Sequence, residues 1–264
     1  MKKPIIFSVL FFIISSISSF GQGVWIEEEQ YDDADGNYRI GKIQINNKIY
    51  EINENAILVD ADLSGVDLSN TWLRGANLTG ANLRGTNLAV ARLSDTNFTG
   101  ADLSGANLTG AQQYGNVNFT RANLSGTDLR SLFKRYWWID TEFYAPVLTD
   151  AILTGTNLTN TYLAYSDLKG VDLSGADLTG ATLVKADLSE ANLSKTNLTE
   201  ADLSGADITE GDLTGANIFK ANFTGVDLYG AKLGEVEMSE AIFNGGTWIN
   251  ESFDLKTGLR VGST

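Results

Sequence analysis

Carboxylates, hydroxyls and amides are the side chains that could do chemistry in this chain. Histidine and cysteine are both absent from its 264 residues. That removes an imidazole base, a thiolate nucleophile, disulfides and the commonest zinc and copper ligands. A hydrolytic site would have to bring a base, a nucleophile and an oxyanion donor together, and a glycosidase would need two carboxylates across a cleft. The aspartates that could serve, such as Asp62, Asp102, Asp177 and Asp207, recur at one fixed place in a repeating pattern, and the serines recur at another. None is set apart from its equivalents. The sequence therefore predicts no enzyme, no catalytic residue, no cofactor and no metal. Asp32-Asp33-Ala34-Asp35-Gly36-Asn37 resembles part of a calcium loop. Aligned on Gly36, however, its first position is Tyr31 and its twelfth Lys42, where carboxylates are needed. It reads as a polar turn. Asn-x-Ser/Thr triplets such as Asn77-Leu78-Thr79 and Asn97-Phe98-Thr99 are generated by the repeat itself.

The repeat sets the frame for these side chains. From Leu58 an apolar residue recurs every five positions, through Leu63, Leu68, Leu73 and on to Leu108. A small residue, usually alanine, lies two before it, and Asp or Asn lies between, as in Ala101-Asp102-Leu103-Ser104-Gly105. Gln113 puts a polar side chain at the central position. The rhythm resumes one residue late at Phe119, breaks after Leu129, and runs again from Leu148 to Trp248, for 36 repeats in blocks of 12, 3 and 21. A period of five fits neither a helix nor a two-faced strand. Within one repeat the alanine and the leucine are two apart and share a face of an extended backbone. Each repeat is thus a short extended bridge with both residues inward, Asp or Asn outward, and Ser/Thr-Gly at the turn. Stacking would align some aspartates into outward columns.

Tandem A-(D/N)-L-x-x over about two thirds of the chain resembles the pentapeptide-repeat proteins. The resemblance implies an all-β fold, a right-handed quadrilateral β-helix with four repeats per coil. At about 4.8 Å per layer, nine coils make a rod on the order of 43 Å long.

Four segments fall outside the repeat. Met1–Gly21, with Lys2 and Lys3 before the apolar stretch Ile5 to Ile14 and a serine-rich end, reads as a signal peptide cleaved after Gly21. The apolar run is short for a membrane span, so the expected location is secreted or periplasmic, in a bacterial envelope, with no span after cleavage. An uncleaved anchor is the alternative. Residues 22–55 hold an acidic stretch, Glu27 to Asp35, then a β-hairpin of Tyr38–Ile45 and Lys48–Ile52 around Asn46-Asn47, expected to cap the solenoid. Residues 56–249 are the β-helix. Residues 250–264 either fold over the last coil through Phe253 and Leu255 or, as the resemblance implies for some members, form a homodimer contact.

The fourth segment is an insertion at 130–147. Leu129 and Leu148 are 19 apart where five is expected, about 14 residues too many. It carries Phe133, Lys134, Arg135, Tyr136, Trp137, Trp138, Phe143 and Tyr144, an aromatic and slightly basic set of the kind that dominates binding hot spots. These residues either form a contact site or pack back on the solenoid. The formal net charge is −14, and −16 without Lys2 and Lys3, which repels nucleic acid and anionic lipid. The expected function is a non-enzymatic, extracytoplasmic scaffold or protein-binding solenoid whose partner is a protein or envelope component. The resemblance also implies an alternative, the DNA-like members that bind type II topoisomerases, which a secretion signal disfavours. A catalytic carbohydrate-active β-helix is the third reading.

Overall fold

The computed structural model describes residues 23–33, 36–130, 132, 133, 146–246, 253, 254, 259 and 260. Met1–Gly21, the stretch expected to be a signal peptide, lies outside them. The described residues between 56 and 246 form a four-sided β-solenoid. Successive coils are joined by parallel bridges between residues 20 apart, such as Asn77 with Asn97 and Asp172 with Asn192. Four five-residue repeats therefore make one coil, and nine coils run from Leu58 to Phe243.

The period of five has a direct structural cause. In each repeat the small residue and the central residue point inward, and the coil core is leucine at 0–1% exposure over most of its length. The central N–H and the outward-residue N–H bond to the next and previous coils, as in Leu58 N to Asn77 O, 2.8 Å, and Asn77 N to Ala56 O, 2.8 Å. The corner closes by a bond from the next small residue back to the central carbonyl, as in Ala61 N to Leu58 O, 3.2 Å. One corner residue per repeat takes a left-handed conformation, which favours glycine.

Val90 is an exception of consequence. It is β-branched, yet it sits at such a corner with φ 61° and is 45% exposed. Left-handed backbone costs an L-residue on the order of 1–2 kcal/mol, and glycine recovers part of this. Val90→Gly is expected to raise stability by about 0.5–1 kcal/mol in urea unfolding.

Threonines that replace the inward alanine keep their hydroxyls satisfied by core carbonyls. Thr71 Oγ1 donates to Leu68 O at 2.7 Å and Thr86 Oγ1 to Leu63 O at 2.8 Å. The outward Asp and Asn accept from the residue two further on, as Asp62 Oδ1 does from the Ser64 hydroxyl at 2.8 Å. On three walls amides lie beside the acids of the neighbouring coil. Asn82 Nδ2 donates to Asp62 Oδ1 at 3.0 Å, and Asn192 Nδ2 to Asp172 Oδ1 at 3.0 Å. One column, Asp167, Asp187, Asp207 and Asp227, has no amide between its acids.

The N-terminal cap is larger than the expected hairpin. Strands β1 (Val24–Asp33), β2 (Gly36–Ile45) and β3 (Lys48–Ile52) form an antiparallel sheet in the order β1-β2-β3. Asn46 and Asn47 turn β2 into β3 with φ 49° and 65°, the hairpin geometry that Asn tolerates. The acidic stretch from Glu27 to Asp33 belongs to β1, which pairs with β2 along its length with a register shift between Trp25 and Glu27. At Gly41, φ is 147° and a Cβ would meet the Glu27 carbonyl oxygen, so only glycine lets β1 close on β2.

Ile43, Ile45 and Ile52 are buried in the same core as Leu58, Leu63, Leu68 and Leu73. β2 also continues one wall of the solenoid. Arg39 N bonds Asn70 O at 2.7 Å and Trp72 N bonds Arg39 O at 3.2 Å.

The Arg39 side chain fastens this joint. Its guanidinium meets Asp67 at 3.1 Å and Glu28 at 3.2 Å, and lies 4.5 Å from the Trp25 ring centre. Burial alone would raise the Asp67 carboxyl, but the Ser69 hydroxyl and N–H, together with Arg39, outweigh it and hold it below the usual carboxylate range. A depressed folded-state value means this contribution is complete above about pH 4 and lost as pH falls through the depressed value. Asp67→Asn is expected to cost less than about 1 kcal/mol at neutral pH and to flatten the acid limb of the stability–pH curve. Circular dichroism melts from pH 2 to 7 check it.

At the other end Leu233, Met238 and Phe243 are only partly buried. Beyond them β4 (Phe253–Asp254) and β5 (Leu259–Arg260) pair antiparallel.

Candidate contact site on the interrupted wall

The fourth wall of the solenoid departs from the repeat more than the other three. Its outward positions, which elsewhere are mostly Asp or Asn, are Trp72, Arg92 and Gln112 in the first three coils, then Tyr162 and Thr182. The Trp72 and Tyr38 rings meet edge to face at 5.6 Å. The Arg92 guanidinium lies 4.0 Å from the Tyr38 ring centre and 5.1 Å from that of Trp72. Arg92 is 8% exposed, although its place in the repeat is outward. In the first two coils this set of aromatic and cationic groups stands where the acid and amide ladder would be, and that ladder returns on the same wall where Asn222 Nδ2 donates to Asp202 Oδ1 at 3.0 Å.

Two irregularities follow on the same wall. Gln113 stands in the leucine column between Leu93 and the next coil. It is half-buried, and its Oε1 is enclosed with no hydrogen-bond partner. The one-residue slip after it is held by side chains of the coil below. Ser94 Oγ accepts from Tyr114 N at 2.8 Å and Asp95 Oδ1 from Asn116 N at 3.2 Å.

The insertion begins one coil later. Asn118, Asn123 and Asp128 bridge to Val147, Ile152 and Asn157, 29 residues on instead of 20. The coil therefore holds nine residues more than a regular one, not the 14 counted from Leu129 to Leu148.

The difference arises because Phe133 supplies the missing core residue. Leu132 N and Phe133 N both bond Leu129 O at 3.1 Å, a tight turn that brings Phe133 inward after four residues instead of five. Phe133 is 1% exposed, its carbonyl accepts from Tyr162 N at 2.8 Å, and its ring meets Phe119 edge to face at 6.3 Å. Phe119 in turn stacks on Phe98 at 5.1 Å. Phe133 is thus a core residue, not a contact residue, because the fourth wall needs an apolar side chain at that level. The five-residue count points to Lys134, one position too far. The usable signal was the interval of 20 from Gln113 along one wall.

Both ends of the insertion are anchored. Arg130 bonds the Asp128 carboxylate at 2.6 Å, and this hydrogen bond holds Asp128 below the usual carboxylate range. Pro146 is buried at the small position of the repeat, and Val147 bridges Asn118 and Asp167. Of the candidate contact residues, Lys134, Arg135, Tyr136, Trp137, Trp138, Phe143 and Tyr144 lie outside the described residues. Among the described residues, no group of three or more acidic side chains could hold a metal ion, and no helix is long and apolar enough to cross a membrane.

The family described as pentapeptide repeats matches in eight copies, over residues 54–80, 76–112, 147–180, 181–218 and 221–245. Those ranges take in more than half of the chain and leave out the cap, the insertion and the tail. Among solved structures, the chain is similar to HetL, a pentapeptide repeat protein involved in heterocyst differentiation regulation from the cyanobacterium Nostoc. The two are 34% identical over 72% of this chain and 73% of that one, with a TM-score of 0.41. It is also similar to Rfr23 from the cyanobacterium Cyanothece, at 28% identity over 50% and 87% of the two chains and a TM-score of 0.30. A third is QnrB1, a plasmid-mediated fluoroquinolone resistance protein, at 23% identity over 66% and 89% and a TM-score of 0.27. No curated protein matches the chain.

Proposed function

From the premise that this chain belongs to the pentapeptide-repeat family, we propose that it is a non-catalytic, extracytoplasmic scaffold that binds a protein or envelope component at its interrupted wall. The observation that carries this reading is that the coil with nine extra residues keeps its core, with Phe119, Leu124, Leu129 and Phe133 buried, and its bridges to the next coil on three walls, with Tyr162 N bonded to Phe133 O on the fourth. The fold does not need the insertion. A rigid frame presenting an aromatic, basic segment is the arrangement in which loops carry binding, and Trp, Tyr and Arg are the side chains that dominate such contacts. The leader at Met1–Gly21 supports an extracytoplasmic location.

The test is affinity capture from envelope extracts with two proteins, the intact chain and one in which residues 134–145 are shortened by nine to restore a 20-residue coil. The shortened protein should melt at the same temperature and lose the captured partner. Equal capture by both would remove the insertion from the contact.

A further inference from the structure

Capping leaves part of the cap unused. The buried isoleucines come from β2 and β3, and Arg39 of β2 makes the joint, while β1 adds to the core only the partly buried Trp25. β1 is nevertheless ten residues long and outermost in its sheet. It pairs with β2 on one side, and no described residue pairs with its other edge. After the register shift at Trp25/Glu27, the stretch from Glu27 to Asp33 offers a regular row of N–H and C=O groups.

An open edge is a template for another strand. Here the side chains select which one. Glu27, Glu28 and Glu29 are consecutive and exposed. Glu27 meets Lys42 at 2.8 Å and Glu28 meets Arg39 at 3.2 Å, yet their side chains stay 60% and 38% exposed. Exposed pairs of this kind quench little of the carboxylate field. A second copy of the same edge would set carboxylate against carboxylate, which is destabilising. A strand bearing lysine or arginine at alternate positions would meet these glutamates instead.

We infer that the outer edge of β1, from Glu27 to Asp33, is a strand-addition site for an extended basic segment of a partner protein. Backbone bonds give the affinity and the glutamates give the selectivity. This surface is separate from the interrupted wall and stands or falls independently of it.

The probe is a fluorescent eight-residue peptide alternating lysine with valine or threonine. Its control is the same peptide N-methylated at alternate residues, which keeps the charge and removes backbone donors. Anisotropy titration of the full mature chain at low salt should give saturable binding of the first peptide. N-methylation should weaken it by about tenfold or more, and so should Glu27→Lys with Glu29→Lys, whose melting temperature verifies the cap. Equal binding of the methylated peptide would mean charge attraction alone and overturn the site. Absence of saturable binding, or binding unchanged in the double variant, would overturn it too.

Discussion

Phe133→Ala is expected to lower stability by about 3–5 kcal/mol, the range for a large aromatic removed from a packed core. In a protein of this size that corresponds to a fall in melting temperature on the order of 10 °C. The ring fills the fourth wall of the fourth coil and lies against Phe119, which stacks on Phe98. The coil below presents the polar Gln113 at the same place, so it offers no apolar side chain to fill that volume. A solenoid is held by contacts between neighbouring coils, so the loss should also split the melt into two steps, one for each side of the weakened coil. Lys134→Ala and Arg135→Ala should change stability by no more than about 0.5 kcal/mol. Differential scanning calorimetry of the three variants separates the core role of Phe133 from the neighbours with which the sequence groups it. A Phe133→Ala melt that matches the parent would remove Phe133 from the core.

Deleting residues 22–52 is expected to have a larger effect still. Ile43, Ile45 and Ile52 are each 5% exposed or less, and burying such side chains contributes roughly 1.5–3 kcal/mol apiece. Without them the first coil would show Leu58, Leu63, Leu68 and Leu73 to water. Its backbone groups at Asn70 and Trp72 would also lose their partner in β2. A bare apolar edge of this kind recruits other chains, and solenoids need capped ends for solubility. The deleted protein should elute from size-exclusion chromatography as aggregates, with the remainder frayed at its first coil. A monomeric peak with an unchanged melt would show that the sheet is an appendage and not a cap.

The solenoid was legible because one short rule governs core, turn and ladder together. Alanine and leucine two apart, Asp or Asn between them, and glycine at the corner all point to the same bridge-and-turn unit, and the coils obey it. The β2–β3 hairpin was legible from Ile43, Ile45, Ile49 and Ile52 around Asn46-Asn47. β1 was not, since Glu27-Glu28-Glu29-Gln30 has no apolar alternation. It is a strand because β2 offers an edge and Gly41 lets it approach. Phe133 was misplaced for a different reason. A four-residue turn cancels the slip after Gln113, so counting in fives along the chain misses what counting in twenties along one wall finds. The aspartate columns were expected from the pattern, but the amide spacing that quiets three walls depends on which residues lie 20 apart. Only the ungapped column from Asp167 to Asp227 keeps its like charges adjacent.

The ladder of Trp72 and Arg92 on Tyr38 marks the same wall as Gln113 and Phe133. Departures from the repeat at four levels converge there, which is what a function-bearing side of a repetitive rod should look like. The most direct measurement places a photo-crosslinking amino acid in cells at Trp137, and in a separate strain at Asn197 on a regular wall. A discrete crosslinked partner is expected from position 137 and none from position 197. The same crosslinks from both positions, or a partner from 197 alone, would contradict a contact at the insertion.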